Sequence, residues 1–250
     1  MAFLDNFISD FEPITLQEMD TVELMKRVDT KFIFNRHILE TIFPLFLGQY
    51  KLLYVNGVVK SKYTSLYFDT DDFTFFLNHH NGKLDRSKVR FREYVDSQAC
   101  FLEVKRKNQQ GTTIKKRIKV EKPSKTLNHT QKEFVHSRLK RHYELKYCHK
   151  NFFRRITMVN KFAKERITID FDLEFQNDKE TIRNKTKNIV IAELKQEKLN
   201  RTSFFYKLMK ENGIRPSGMS KYCIGTSLLN EDLKANRFKK NFRILEKNNN

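Results

Sequence analysis

Glycine and proline are scarce in this 250-residue chain, at 7 and 4, which leaves little material for long flexible linkers and favours one large domain with a real core. Cysteine is scarcer still. Cys100, Cys148 and Cys223 are odd in number, far apart, and outside any C-x-x-C or ordered Cys/His spacing. That excludes a disulfide framework or a zinc module and leaves ordinary buried or half-buried thiols of a reducing compartment. No apolar run is long enough to cross a bilayer, and residues 1–10 lack the basic start and apolar stretch of a signal peptide, so a soluble cytoplasmic protein is expected. The glycine-rich phosphate loop, the G-x-G-x-x-G turn and any readable Ser/His/Asp or Cys/His set are missing too. An enzyme made from this chain therefore works through electrostatics rather than through a covalent nucleophile.

Positive charge is what the chain has in excess. Lys and Arg number 49 against 30 Asp and Glu, a net +19. Such a surplus attracts polyanions, whether nucleic acid, an acidic membrane or a phosphate-rich small molecule, and charge alone does not choose among them. The placement of the cations says more. Arg86, Lys88, Arg90 and Arg92 form one series, Lys105 and Lys107 with Glu103 a second, and Lys115, Arg117 and Lys119 a third. Residues two apart share one face of a strand, so each series puts its charges on a single side, with Val89 and Phe91 or Ile118 and Val120 on the other. A nearly pure cationic face is costly by self-repulsion unless an anion sits against it. Arg90 and Arg92 add planar forks that match phosphate geometry.

Around these runs the pattern predicts many strands and a few helices. Thr15 and Glu18 form a capping box that opens a helix with Leu16, Met19 and Val22 apolar. A strand over 27–34 places Arg27, Asp29 and Lys31 on one face, and a helix from Asn35 to Gly48 carries Ile38, Ile42 and Leu45 despite Pro44. Asn56-Gly57 between 50–55 and 58–63 is a hairpin signal. Further strands are expected at 63–69, 86–94, 101–108, 112–121, 152–159, 166–175 and 189–196, with Arg166, Thr168 and Asp170 on a shared face. Helices are expected at 71–80, at 131–149 through Val135, Leu139 and Tyr143, and at 202–212 before Gly213. This is an α+β, largely antiparallel fold. Its apolar sheet face is hidden either by helices packed on it or by closure into a β-barrel whose lumen is a cationic tunnel.

Glu193, two residues before Lys195, is either a salt-bridge partner or, in a tunnel that binds phosphate, a metal ligand. Glu103 reads as a partner of neighbouring cations. His79 and His80 suit the surface or a cap, Tyr147, Phe152 and Phe153 the core, and Lys239, Lys240 and Arg243 a solvated helix end. Phe91 and Tyr94 give only thin stacking support for single-stranded nucleic acid, which is not the expected partner.

Taken in order, Arg27-Val-Asp-Thr-Lys31, Tyr67-Phe-Asp-Thr70, Lys88-Val-Arg90-Phe-Arg92-Glu-Tyr94, Phe101-Leu-Glu-Val-Lys105, Lys115-Lys-Arg117, Arg166-Ile-Thr-Ile-Asp170, Ala192-Glu193-Leu-Lys195 and Met219-Ser-Lys221-Tyr222 run from about Pro13 to Ile224. This series resembles the polyphosphate polymerase catalytic domain of the vacuolar transporter chaperone (VTC), in its stand-alone bacterial form, within the triphosphate tunnel metalloenzymes of CYTH-like fold. The resemblance implies an antiparallel barrel with helices packed outside. Residues 1–12 would be an N-terminal segment, 13–230 the tunnel domain and 231–250 a basic C-terminal tail. It also implies transfer of the γ-phosphate of a nucleoside triphosphate to polyphosphate, with Mn²⁺ or Mg²⁺. By motif, Lys31, Arg90, Arg92, Lys105, Lys115, Arg117, Arg155, Arg166, Lys195, Ser220 and Lys221 would contact phosphates and Glu193 would hold the metal. Phe153 replaces a usual Tyr two residues before Arg155, and Lys107 stands where a His is often found near the substrate. The wider superfamily opens Glu-x-Glu-x-Lys, whereas this chain has Arg27-x-Asp29-x-Lys31, which removes a carboxylate and makes two-metal triphosphate hydrolysis the lesser expectation. Hydrolysis, or plain binding of polyphosphate or RNA, are the alternatives.

Overall fold

The computed structural model describes residues 2–21 and 27–249. Eleven strands form one sheet: β1 (Pro13–Ile14), β2 (Val28–Asn35), β3 (Tyr50–Leu53), β4 (Ser61–Asp69), β5 (Arg86–Tyr94), β6 (Ala99–Lys107), β7 (Thr113–Val120), β8 (Lys146–Asn160), β9 (Glu165–Gln176), β10 (Thr181–Ile182) and β11 (Ile189–Gln196). The main path is β2-β11-β9-β8-β4-β5-β6-β7, antiparallel throughout. Register shifts between Tyr67 and Phe68 and between Phe152 and Arg154 bend the long central strands. The bending curls the sheet on itself, so that Lys31 on β2 repels Lys88 on β5 and Lys105 on β6, several strands away along the ladder. The expected antiparallel barrel is thus present as a curled wall, with no ladder between β2 and β7 among the described residues.

Helices α1 (Asp5–Ile8), α2 (Leu16–Thr21), α3 (Arg36–Ile42), α4 (Thr74–His80), α5 (His129–His136), α6 (Phe204–Glu211), α7 (Lys221–Leu229) and α8 (Lys239–Asn249) complete the chain. Strand parity decides where they pack. Phe32, Phe34, Val190, Ala192, Ile167 and Ile169 point away from the cations and are covered by Leu39 of α3 and by Phe205, Leu208 and Met209 of α6. Phe68, Val89, Phe91, Leu102 and Val104 form a second outer core with Phe75 and Phe76 of α4 and Val135 of α5. Inside, α7 plugs one end of the barrel. A Cβ on Gly225 would stand 2.5 Å from Phe175 and 2.6 Å from His149, so only glycine lets α7 seat against β8 and β9.

Four expectations are corrected. Asn56 and Gly57 do make a tight turn with φ of 49° and 77°, but its two arms meet in one bridge, Val55 to Val58, and form no hairpin ladder. Instead β3 and β4 lie one after the other along the same edge of the fifteen-residue β8, which pairs Leu52 with Met158 and Ser61 with Arg155. The helix after Asn35 stops at Ile42, because Pro44 cannot extend the α-helical ladder; a 3₁₀ turn over Phe43–Phe46 buries Phe43 and Phe46 and leaves Leu45 52% exposed. The helix expected over 131–149 is only α5, since the last of those residues enter β8 to pair with β4. His80 is buried against Phe76 and Phe238, and His79 is half-buried near Tyr222, so neither is a surface group. Val22 lies outside the described residues.

Candidate functional site

Inward-facing residues of the curled sheet enclose a cavity of about 870 Å³. Its wall carries thirteen basic side chains and four carboxylates, a surplus that repels itself unless an anion enters. Lys31 comes from β2, Glu193 and Lys195 from β11, Arg166 from β9, Arg155 from β8, Arg90 and Arg92 from β5, Lys105 from β6, and Lys115 and Arg117 from β7. Ser220 and Lys221 reach it from the start of α7. Every residue singled out in the sequence as a phosphate contact or metal ligand therefore lines this one cavity. Arg86, Lys107 and Lys119, the outer members of the three cation series, do not line it. For Lys107 this corrects the expectation of a place near the substrate: the ladder pairs it with Arg86 at the far end of β5.

Two buried carboxylates hold the cations in place. Asp170 accepts hydrogen bonds from Arg155 at 2.5 and 2.8 Å and also from Lys221. Burial disfavours its charge, but Arg155 and Lys221 outweigh that and pull its pKa to about 2. Glu103 does the same for Arg90, at 2.9 and 2.7 Å, and for Lys115 at 2.5 Å, and its pKa is likewise about 2 in spite of burial. It is the cation partner that the sequence suggested. Arg92 lies over the rings of Tyr63 and Phe153 at 5.7 and 5.8 Å, and Lys221 lies 4.4 Å from Phe153. Of the three expected core aromatics only Phe153 is fully buried, and it doubles as a cation platform.

Glu193 bonds Lys195 at 2.9 Å. Burial opposes its ionisation, yet Lys31 and Lys195 keep the carboxyl well below the usual range, so it is an anion throughout the physiological window. Asp29, next to it on the wall, is tied to Arg27 at 3.0 Å and Lys195 at 3.5 Å. At the base of the cavity Lys88 donates to Ser220 Oγ at 2.9 Å, and that hydroxyl also accepts from the Cys223 amide, capping α7. The positive end of the α7 dipole and the Lys221 side chain thus face the same space.

Lys88, Asp170 and Tyr67 belong to the site and were not singled out for it from the sequence. Lys88 had a signal, its parity with Arg90 and Arg92. Asp170 shared a face with Arg166, but its grip on Arg155 depends on the β8–β9 register, which pairs these two residues. Tyr67 bonds Arg90 at 3.1 Å across the β4–β5 ladder.

The curled antiparallel sheet thus gathers cations from eight of its strands and from the start of α7 around one bore. Residues 26–230 match the VTC domain, and the chain belongs to the VTC domain family. Among solved structures the chain is similar to a proposed adenylate cyclase from Vibrio parahaemolyticus, at 10% identity and a TM-score of 0.44 over 80% of this chain and 97% of that one. It is also similar to a proposed adenylyl cyclase from Hippeastrum, described as having a dominant triphosphatase activity, at 16% identity and a TM-score of 0.49 over 81% and 96% of the two chains. No curated protein sequence matches the chain. No helix among the described residues is long and apolar enough to cross a membrane.

Proposed function

We propose that this protein handles triphosphates as a phosphotransferase that moves the γ-phosphate of a nucleoside triphosphate onto a polyphosphate chain. The observation that carries this reading is the bore itself, where cations from eight strands and one helix surround a single space and are held there by Glu103 and Asp170. Lys31, Arg90, Arg92, Lys105, Lys115, Arg117, Arg155, Arg166, Lys195, Ser220 and Lys221 would bind and align phosphoryl groups, with Lys88 joining them. The chemistry asks for no protein nucleophile, because a terminal oxygen of the acceptor chain attacks in line, and fixed cations stabilise the charge of transfer.

Glu193 fits a divalent metal such as Mn²⁺ or Mg²⁺, being an ionised carboxylate on the bore wall whose remaining ligands would be phosphate oxygens and water. When bound, that metal would offset charge on the transferring group. Asp29 is paired with Arg27 and Lys195 as Glu193 is with Lys195, and with the basic Arg27 two residues before it the wall is short of carboxylates for a second metal, which favours transfer over two-metal hydrolysis.

Incubation with ATP and Mn²⁺ is expected to yield long polyphosphate, and Glu193→Gln to abolish turnover while leaving polyphosphate binding largely intact. Free phosphate as the sole product would replace transfer by hydrolysis. Binding without turnover in the wild type would reduce the protein to a polyanion-binding module, and preference for mixed-sequence RNA over short polyphosphate would move it to nucleic acid.

A further inference from the structure

The cavity is not uniform along its length. At the end built by the β5–β6 turn and the link between β3 and β4, the wall turns apolar: Leu53, Val55, Tyr63, Tyr94, Ala99 and Phe101 face in. Three of the rings form a chain, Tyr63 to Tyr94 at 5.0 Å and Tyr94 to Phe101 at 5.9 Å, and each ring is half-exposed. Arg117 covers Phe101 with its guanidinium 4.5 Å from the ring centre. Asp96 adds a carboxylate to the same end, fixed by the Lys62 amide at 2.6 Å. Apart from Arg117 and Lys62, such a wall offers phosphoryl oxygens little, and the Asp96 charge repels them. A flat, uncharged ring gains from it by stacking.

We propose that this end is a nucleoside subsite, where the base of the donor nucleotide stacks on the Tyr94, Phe101 and Arg117 group while its triphosphate points into the cationic bore. The proposal rests on the bore being a phosphate channel. It fixes a direction: the nucleotide enters base-outward at the aromatic end. Ring faces read no hydrogen-bonding pattern, so the subsite tolerates different bases.

Calorimetric titration of the full chain with a non-hydrolysable ATP analogue and with inorganic tripolyphosphate tests this. Tyr94→Leu and Phe101→Leu, which keep apolar bulk, are each expected to weaken the nucleotide analogue about tenfold and tripolyphosphate less than about twofold. Tyr94→Phe keeps the ring and is expected to keep nucleotide affinity. Retained tripolyphosphate binding reports that a variant is folded. Equal loss for both ligands, or no loss for the nucleotide, overturns the subsite and leaves the bore reading intact. A wild type that binds neither ligand overturns the bore reading and the subsite with it. A preference above about a hundredfold for one base over the other three also overturns stacking as the mode of recognition.

Discussion

At the scale of single residues, the bore is a surplus of cations held in place by two buried carboxylates, Glu103 and Asp170, and two groups in it titrate close to neutrality. Burial, with Lys31 and Lys105 nearby, brings Lys88 down to about 8. Tyr67 is also pulled to about 8, because Arg90 and Arg92 outweigh its burial. Below that pH Lys88 is charged and Tyr67 neutral, so the bore is at its most positive; above it Lys88 loses its charge and Tyr67 gains a negative one. A bound polyanion favours the protonated form of both. Tripolyphosphate affinity is therefore expected to fall as pH rises through about 8, by up to about two decades per pH unit, and by about one in Tyr67→Phe. Proton uptake on binding, read by calorimetry in buffers of different ionisation enthalpy, checks the sign. Asp170→Asn frees Arg155 and Lys221 from their buried partner and is expected to destabilise the ligand-free protein by about 3–5 kcal/mol in urea titration, less when tripolyphosphate is present. Most of the cations behind these effects were legible in the sequence through their period of two. Of the carboxylates that fix them, Glu103 was marked by its place beside Lys105, whereas Asp170 was not, since it meets Arg155 only through register across two long strands.

At the scale of elements, helices were harder to read than strands, and α7 shows why. Almost all its residues are buried, including Tyr222, Cys223, Ile224, Gly225 and Thr226, so it has no polar face to give a 3.6-residue period. Only its start, through Ser220 and Lys221, was marked. The opposite failure occurred at α5, where Val135, Leu139 and Tyr143 keep helical spacing and share one core although the chain leaves the helix at Ser137. Strands did better because β5 and β11 alternate or run apolar between clear turns, and their observed bounds coincide with the expected ones. The fit of α7 inside the barrel gives a sharp test. Gly225→Ala places a methyl against Phe175 and the His149 ring, neither of which has room to retreat in a packed interior. A loss of about 1–3 kcal/mol is expected from the overpacking, with weaker phosphate binding because Ser220 and Lys221 move with the helix. Urea denaturation and tripolyphosphate titration of the same variant measure the two effects.

At the scale of the whole molecule, the sequence left open whether helices cover the apolar face or the sheet closes around its charges, and the structure combines the two: helices cover the outer face while the sheet curls around its charges, with no closing ladder among the described residues. The register shifts in β8 curl the wall, and the outer face still needs α3, α4, α5 and α6. The result is a protein folded around its own repulsion: thirteen basic groups share one cavity with four carboxylates, and the net charge is +19. Such a fold is weakest when empty. Screening shortens the range of repulsion to roughly 8 Å at physiological ionic strength, so added neutral salt is expected to raise Tm modestly. A ligand that neutralises the bore acts more strongly, because it binds only the folded chain. At a thousand times its Kd, tripolyphosphate adds about 4 kcal/mol, which for a chain of this size corresponds to roughly 8–16 °C in Tm. Orthophosphate at equal ionic strength spans too little of the bore to match it. Thermal unfolding with tripolyphosphate, orthophosphate and sodium chloride separates these effects, and equal shifts from all three at matched ionic strength would mean that the cavity is only a screened charge and not a site.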